Sequence, residues 1–419
     1  TPLPTSPLAT AYPAQAIPAT PAAYPAVTGP AATLPAYPPA GYPAASPPPA
    51  VTESAGSGLA VHLYFPWLAG PAPPPTPTAT LTPSPTATPA PTATPTPTPI
   101  PTVDFAAVRA QLRAAGQDVG TVKIGFHTGV GGNQLGLGDW MRRLDAAGVP
   151  FFVKSVDSTG PLFEAQDILR NSSIPHTLVF RRSGPEYDVP RYDLPADEAA
   201  FWHWQLHKAA FPPELDPSLV WVETMNEVDK TRAEWLGQFA LATAELALAD
   251  GYKWAAFGWS AGEPELSDWQ TPSMLAFLRL AAANPDRLAI ALHEYSYLTS
   301  EIGHDYPYKV GRFQFLFQIC DQYGIARPTV LITEWGWEYE NVPPPEVAMP
   351  DIAWAAALYA PYPQVKGAAL WYLGSGFGEI ANQAQRLIVP VRDYTLTTYF
   401  AVPLPPAQAP INPELYRPP

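Results

Sequence analysis

Two glutamates stand at the ends of apolar, β-prone runs that lie far apart in the chain. Glu227 closes LVWVETMNE (219–227), and Glu334 sits within TVLITEWGW (329–337). Carboxylates on two separate strand ends can divide the work of glycosidic-bond cleavage, one as acid/base and the other as nucleophile or base. Other polar residues interrupt apolar runs in the same way. His127 ends VKIGFHTG (122–129), Lys154 and Asp157 end PFFVKSVDS (150–158), and Arg181 and Arg182 end HTLVFRRS (176–183). Asn226 precedes Glu227, His293 and Tyr295 end LAIALHEYSY (288–297), and Trp371 lies in VKGAALWYLG (365–374). On a strand His293 and Tyr295 share one face while Glu294 takes the other. Trp259, Tyr297, Trp335, Trp337 and Trp371 fall at or just past run ends, where aromatic faces suit stacking on sugar rings.

Something must bring these groups together. With YKWAAFGWS (252–260) the apolar runs number eight, and helix-like stretches separate them, among them 139–148, 232–251 and 273–287. Several of these end in the Gly or Asn expected at a helix C-terminus. A further helix-like run, 381–400, follows the eighth strand. Eight β-α alternations in roughly 300 residues predict an α/β fold of the (β/α)₈ TIM-barrel type. In such a barrel functional groups gather at the C-terminal ends of the strands. An open doubly wound sheet is disfavoured. The Gly-rich GVGGNQLGLG (129–138) follows the first strand but lacks the G-x-G-x-x-G order of a dinucleotide turn.

The eight-run region, over roughly 120–400, resembles clan A of the glycoside hydrolases, retaining β-glycosidases built on a (β/α)₈ barrel. Trp221-Val222-Glu223-Thr224-Met225-Asn226-Glu227 is similar to the family's W-E-x-x-N-E with one residue inserted after Trp. Ile332-Thr333-Glu334-Trp335-Gly336-Trp337 resembles its nucleophile strand, His293-x-Tyr295 a pair common near it, and Trp371 a sugar-stacking position. Val228 departs from the family, which usually has Pro after Asn-Glu. The resemblance implies Glu227 as acid/base and Glu334 as nucleophile. The acid then needs its proton held by burial or a neighbouring charge, and the nucleophile needs to stay ionised. Arg181 or Arg182 and the Tyr295 hydroxyl suit the second task, and Asn226 suits a hydrogen bond to the sugar 2-hydroxyl.

The rest of the chain is of another character. More than half of the 57 prolines lie at or before Pro101, and Glu53 is the only charged side chain there. Residues 1–57 form a Pro/Ala/Tyr-rich, largely non-globular arm, with AYP at 11–13, 23–25 and 36–38. The apolar GLAVHLYFPWLAG (58–70) reads as a short strand, either a patch that packs on the neighbouring domain or a candidate for self-assembly or cell-surface contact. Residues 71–102 alternate Pro and Thr, the composition of an extended, O-glycosylatable spacer. The barrel is expected over 103–402, with a Pro-rich tail over 403–419.

A net charge of −14 argues against a nucleic-acid partner, and no apolar run is long enough for a transmembrane helix. No basic or apolar leader stands at Thr1, so a signal peptide, if there was one, is expected to have been removed or left out. We expect an extracellular protein, secreted or surface-attached, with a carbohydrate substrate. The competing expectation is a structural or fibre-forming protein that displays an inactive barrel. No cofactor and no metal is expected. His203 and His207 are four apart but lack a third ligand, and the single Cys320 reads as a buried small residue.

Overall fold

The computed structural model describes residues 102–297 and 299–404. The expectations for the arm, the 58–70 segment, the spacer up to residue 101 and the tail beyond 404 lie outside the described residues. Eight parallel strands close into a barrel in the order β2-β3-β4-β5-β6-β7-β8-β9. They are β2 (Ile124–Thr128), β3 (Phe152–Val156), β4 (Thr177–Arg181), β5 (Val220–Glu223), β6 (Lys253–Trp259), β7 (Leu288–Tyr297), β8 (Thr329–Glu338) and β9 (Val365–Leu370). Each corresponds to one of the eight apolar runs. Their unbroken hydrophobicity follows from burial on both faces, by helices outside and by side chains within. Helices Leu137–Ala146, Ala233–Ala249 and Pro272–Ala283 occupy three of the predicted stretches, and 381–400 divides into Ile380–Gln385, Ile388–Thr397 and a final strand.

That strand, β10 (Phe400–Pro403), pairs antiparallel with β1 (Gln117–Gly120). It was not foreseen. Helix Phe105–Ala114 precedes β1, with Asp104 capping it by accepting from the Ala107 amide at 2.9 Å. No helix among the described residues is long and apolar enough to cross a membrane.

The barrel interior is a packed layer of Phe152, Val179, Trp221, Ala255, Ala289, Ala291, Leu331 and Ala369. Small residues on β6, β7 and β9 make room for the rings from β3 and β5. Gly367 is needed on the same account, because a Cβ there would overlap the Phe152 side chain. A strand returns to the same face after two residues. The next inward layer toward the C-terminal ends therefore contains Lys154, Arg181, Glu223, His293, Thr333 and Trp371. The sequence thus builds its polar layer directly on an apolar plug.

Outward residues serve the shell. Glu294 turns away from its neighbours His293 and Tyr295, as expected. Its carboxyl accepts from the amides of Gly311 (2.9 Å) and Phe313 (3.4 Å) and from the Tyr359 hydroxyl (2.6 Å). Burial pushes its pKa up to about 7 against these hydrogen bonds. It ties β7 to the loop that follows it and to helix Pro345–Tyr359.

Candidate active site

The floor of the site is a buried ionic chain. Lys154 Nζ lies 2.6 Å from Glu223 Oε2 and 3.3 Å from Glu334 Oε1, with its own side chain fully buried. Thr333 donates to the other Glu223 oxygen at 2.6 Å. Strict alternation along β8 would place Thr333 and Glu334 on opposite faces. Between Leu292/Ile332 and His293/Glu334 the pairing of β7 with β8 slips by one residue. This β-bulge turns both side chains inward, Thr333 to Glu223 and Glu334 to the mouth.

Glu334 is nearly enclosed, and Tyr295 donates to its Oε2 at 2.8 Å. Burial alone would raise its pKa. The charges of His293, Lys154, His127 and Arg181 outweigh that and hold the carboxyl well below its ordinary range. His127 is itself driven far below the usual imidazole range, by burial first and then by Lys154. At neutral pH the His127 ring is therefore neutral. Burial disfavours the Arg181 charge, but Glu334, Glu223, Asp188 and Asp157 together raise its pKa. Tyr295 is pushed well above 10 by burial and by Glu334, so it remains a hydrogen-bond donor.

Glu227 stands across from this group, on the loop after β5, with a side chain 27% exposed. Its backbone is left-handed, with φ 50°, and its amide donates to the Gly258 carbonyl at 2.7 Å. Such a φ is strained for a residue with a Cβ and persists only where surrounding structure enforces it. Tyr297, with φ 61°, is a second case beside it. Ser260 donates to Glu227 Oε1 at 3.3 Å and Tyr297 at 3.5 Å. His293 Nδ1 bridges the two glutamates, 3.5 Å from Glu227 Oε1 and 3.7 Å from Glu334 Oε2. Those two oxygens are therefore no more than roughly 7 Å apart.

Several polar atoms around the pair are buried without a hydrogen-bond partner among the described residues: both ring nitrogens of His127, Nε2 of His293, Nε of Arg181 and Oδ1 of Asn226. Buried polar atoms are ordinarily satisfied. Here four residues close to the two glutamates carry such atoms, groups that suit a polyhydroxylated ligand. Trp371 is half-buried on the rim, stacked near Tyr339 at 6.5 Å and edge-on to Tyr295 at 6.3 Å. Tyr295 stacks on Tyr297 at 5.2 Å. These rings form an aromatic wall beside the carboxylates.

The structure thus gathers Glu227, Glu334, Asn226, His293, Tyr295, Arg181, His127 and Trp371 at the mouth. It does not bring Trp335, Trp337 or Arg182 there. Trp335 and Trp337 follow Glu334 by one and three residues, so alternation turns both toward the helices. They pack on each other at 5.0 Å, and Trp337 donates to Asp351 at 2.6 Å. Arg182, one past Arg181, faces out, pairs with Asp157 at 3.3 Å and is 46% exposed. Trp259 is fully buried against Trp269. Lys154, named only as a strand-end residue, and Glu223, Thr333, Ser260 and Tyr339 belong with the site, and none was given a role in it. The signal for the first two was available, since each stands two residues after a large inward ring, Phe152 or Trp221.

The remaining candidates have structural roles. His203 Nε2 contacts the Thr224 carbonyl at 2.7 Å and His207 Nε2 the Tyr187 carbonyl at 3.0 Å. Burial drives their pKa values to about 4 and about 3, so both rings are neutral donors at neutral pH. No group of three or more metal-competent side chains occurs among the described residues. Cys320 is buried, with its thiol pushed up to about 12.

No family model matches the chain, and no curated protein matches it. Among solved structures it is similar to an endo-β-1,4-glucanase from Xanthomonas axonopodis pv. citri, at 12% identity over 66% of this chain and 99% of that one, with a TM-score of 0.40. It is similar also to a family 5 xyloglucanase from Paenibacillus pabuli, at 12% identity over 65% and 98%, TM-score 0.37. A third is a xyloglucanase from Bacteroides ovatus, at 11% identity over 65% and 74%, TM-score 0.36.

Proposed function

We propose that this chain is a retaining glycoside hydrolase that cleaves β-glycosidic bonds of a poly- or oligosaccharide, with Glu334 as nucleophile and Glu227 as acid/base. The observation that carries the reading is the contrast between two carboxylates that share one imidazole nitrogen. Glu334 is nearly enclosed and held well below its ordinary range by the charges of His293, Lys154, His127 and Arg181, while Glu227, across His293 from it, is the more exposed of the two. Environments that separate two carboxyl groups in this way assign them different roles.

In the first step Glu334 attacks the anomeric carbon, and Glu227 gives its proton to the departing glycosidic oxygen. A covalent glycosyl ester results. In the second step Glu227 takes a proton from water, whose oxygen attacks the same carbon and frees Glu334. Asn226 and His127 suit the sugar hydroxyls, and the Trp371 wall suits the ring face. Behind a Pro/Thr spacer, such an enzyme would work outside the cell, secreted or tethered.

Retention can be read directly. Proton NMR of the first minutes of hydrolysis of a β-linked oligosaccharide should show the β-anomer forming first and the α-anomer appearing only as it mutarotates. First appearance of the α-anomer would mean inversion and would overturn the assignment of Glu334.

A further inference from the structure

At the opposite end of the barrel, where the strands begin, lies a second cavity of about 370 Å³. Lys123, Lys253 and Lys366 line it, three of the seven lysines in a chain of net charge −14. They come from three strand beginnings: Lys123 just before β2, Lys253 at the first residue of β6 and Lys366 at the second residue of β9. Lys123 is held in place, donating to the carbonyls of Tyr359 at 3.0 Å and Tyr362 at 2.6 Å. Lys253 Nζ sits 4.9 Å from the Trp221 ring centre. None of the three forms an ion pair with a carboxylate at 4 Å or less among the described residues. Asp118 and Asp286 line the same cavity; Asp118 is paired with Arg113 at 3.0 Å, and Asp286 offsets only part of the lysine charge.

Three lysines around one concave site are a costly arrangement for a fold alone. Burial lowers the pKa of each, that of Lys123 to about 7, and the Lys366 charge adds to the effect on Lys123 and Lys253. The hydrolytic reading makes no use of these residues, since they lie beyond the apolar plug of Phe152 and Trp221. Those two rings also line the cavity and give it an apolar floor under a cationic rim.

We infer that this basal cavity binds a small oxyanion, a phosphate or sulfate group either free or carried on a molecule of monosaccharide size, through Lys123, Lys253 and Lys366. The cavity volume lies within the range of small-ligand sites. An ammonium triad favours a compact, highly charged group, and a ring attached to it would lie over Trp221 and Phe152.

Isothermal titration of the full chain with inorganic phosphate, sulfate, glucose 6-phosphate and glucose tests this. Saturable binding of the anions but not of glucose is expected, weakening as salt is raised. Tighter binding of glucose 6-phosphate than of phosphate would identify a phosphorylated sugar as the ligand, and equal binding would identify the free anion. Lys253→Gln and Lys366→Gln should each weaken binding by about tenfold. Lys366→Arg, which keeps the charge, should bind within about threefold of the parent chain. Glu334→Gln should bind as the parent does, which separates this cavity from the mouth. Absence of saturable anion binding, or binding that survives removal of both lysines, would overturn the inference.

Discussion

Glu334→Gln should lower kcat/KM by at least about 10⁴-fold on every substrate, because an amide cannot form the glycosyl ester. Glu227→Gln should behave differently. Loss of a general acid costs about 10²–10⁴-fold for a poor leaving group. For an activated aryl glycoside, whose leaving oxygen needs little protonation, the first step should be nearly unimpaired and the covalent intermediate should accumulate. Comparing an oligosaccharide with a dinitrophenyl glycoside therefore separates the two roles. Equal losses for both variants on both substrates would contradict them. The wild-type pH profile should agree. With Glu334 held well below its ordinary range, the acid limb of kcat/KM should fall below about pH 4.5. The same depression makes Glu334 a stabilising group above the pKa of the unfolded chain, and that contribution is lost as pH falls through the folded value.

Lys154→Met should be the most damaging single change for stability among the residues of the site. It leaves Glu223 buried, fully desolvated and without its cation. Breaking a buried pair from one side costs about 3–5 kcal/mol, which for a barrel of this size lowers Tm on the order of 10 °C. Removing both charges is milder than removing one, so Lys154→Met with Glu223→Leu should recover most of the loss. Activity will not follow stability in that double variant. Without Lys154, Glu334 loses one of the charges that lower its pKa, and the acid limb of kcat/KM should move to higher pH. Thermal melts and pH profiles of the single and double variants check both statements. A single variant as stable as wild type would show that Lys154 is not a structural cation, and an unmoved limb would show that it does not hold Glu334 ionised.

The eight barrel strands were legible because each is an apolar run long enough to stand out and is separated from the next by a helical period. The β1/β10 pair was not, because two four-residue strands such as QDVG and FAVP carry no alternation and acquire their pairing only once the barrel brings the chain ends together. Within the site, alternation decided success. His293 and Tyr295 were placed together by counting two residues, and Glu294 was correctly sent outward. The same count, begun from Glu334, sends Trp335 and Trp337 to the helices, and begun from Arg181 it sends Arg182 to solvent. Those aromatic and basic residues were assigned to the mouth by type rather than by face. The pairing of Thr333 with Glu334 on one face was beyond sequence reading, since a one-residue bulge has no local signature here. Glu223 was legible only as part of a motif. Its work is to balance Lys154, and that partnership spans 69 positions of sequence that only the closed barrel brings to 2.6 Å.

The central claim is that Glu334 becomes covalently bound to sugar. Incubation with 2-deoxy-2-fluoro glycosides of the gluco, manno, xylo and galacto series, followed by proteolysis and mass spectrometry, tests it most directly. A single added fluorosugar on the peptide containing Glu334, absent from the Glu334→Gln protein, is the predicted result. A label on Glu227 or Glu223, or no label from any of the four series, would contradict it.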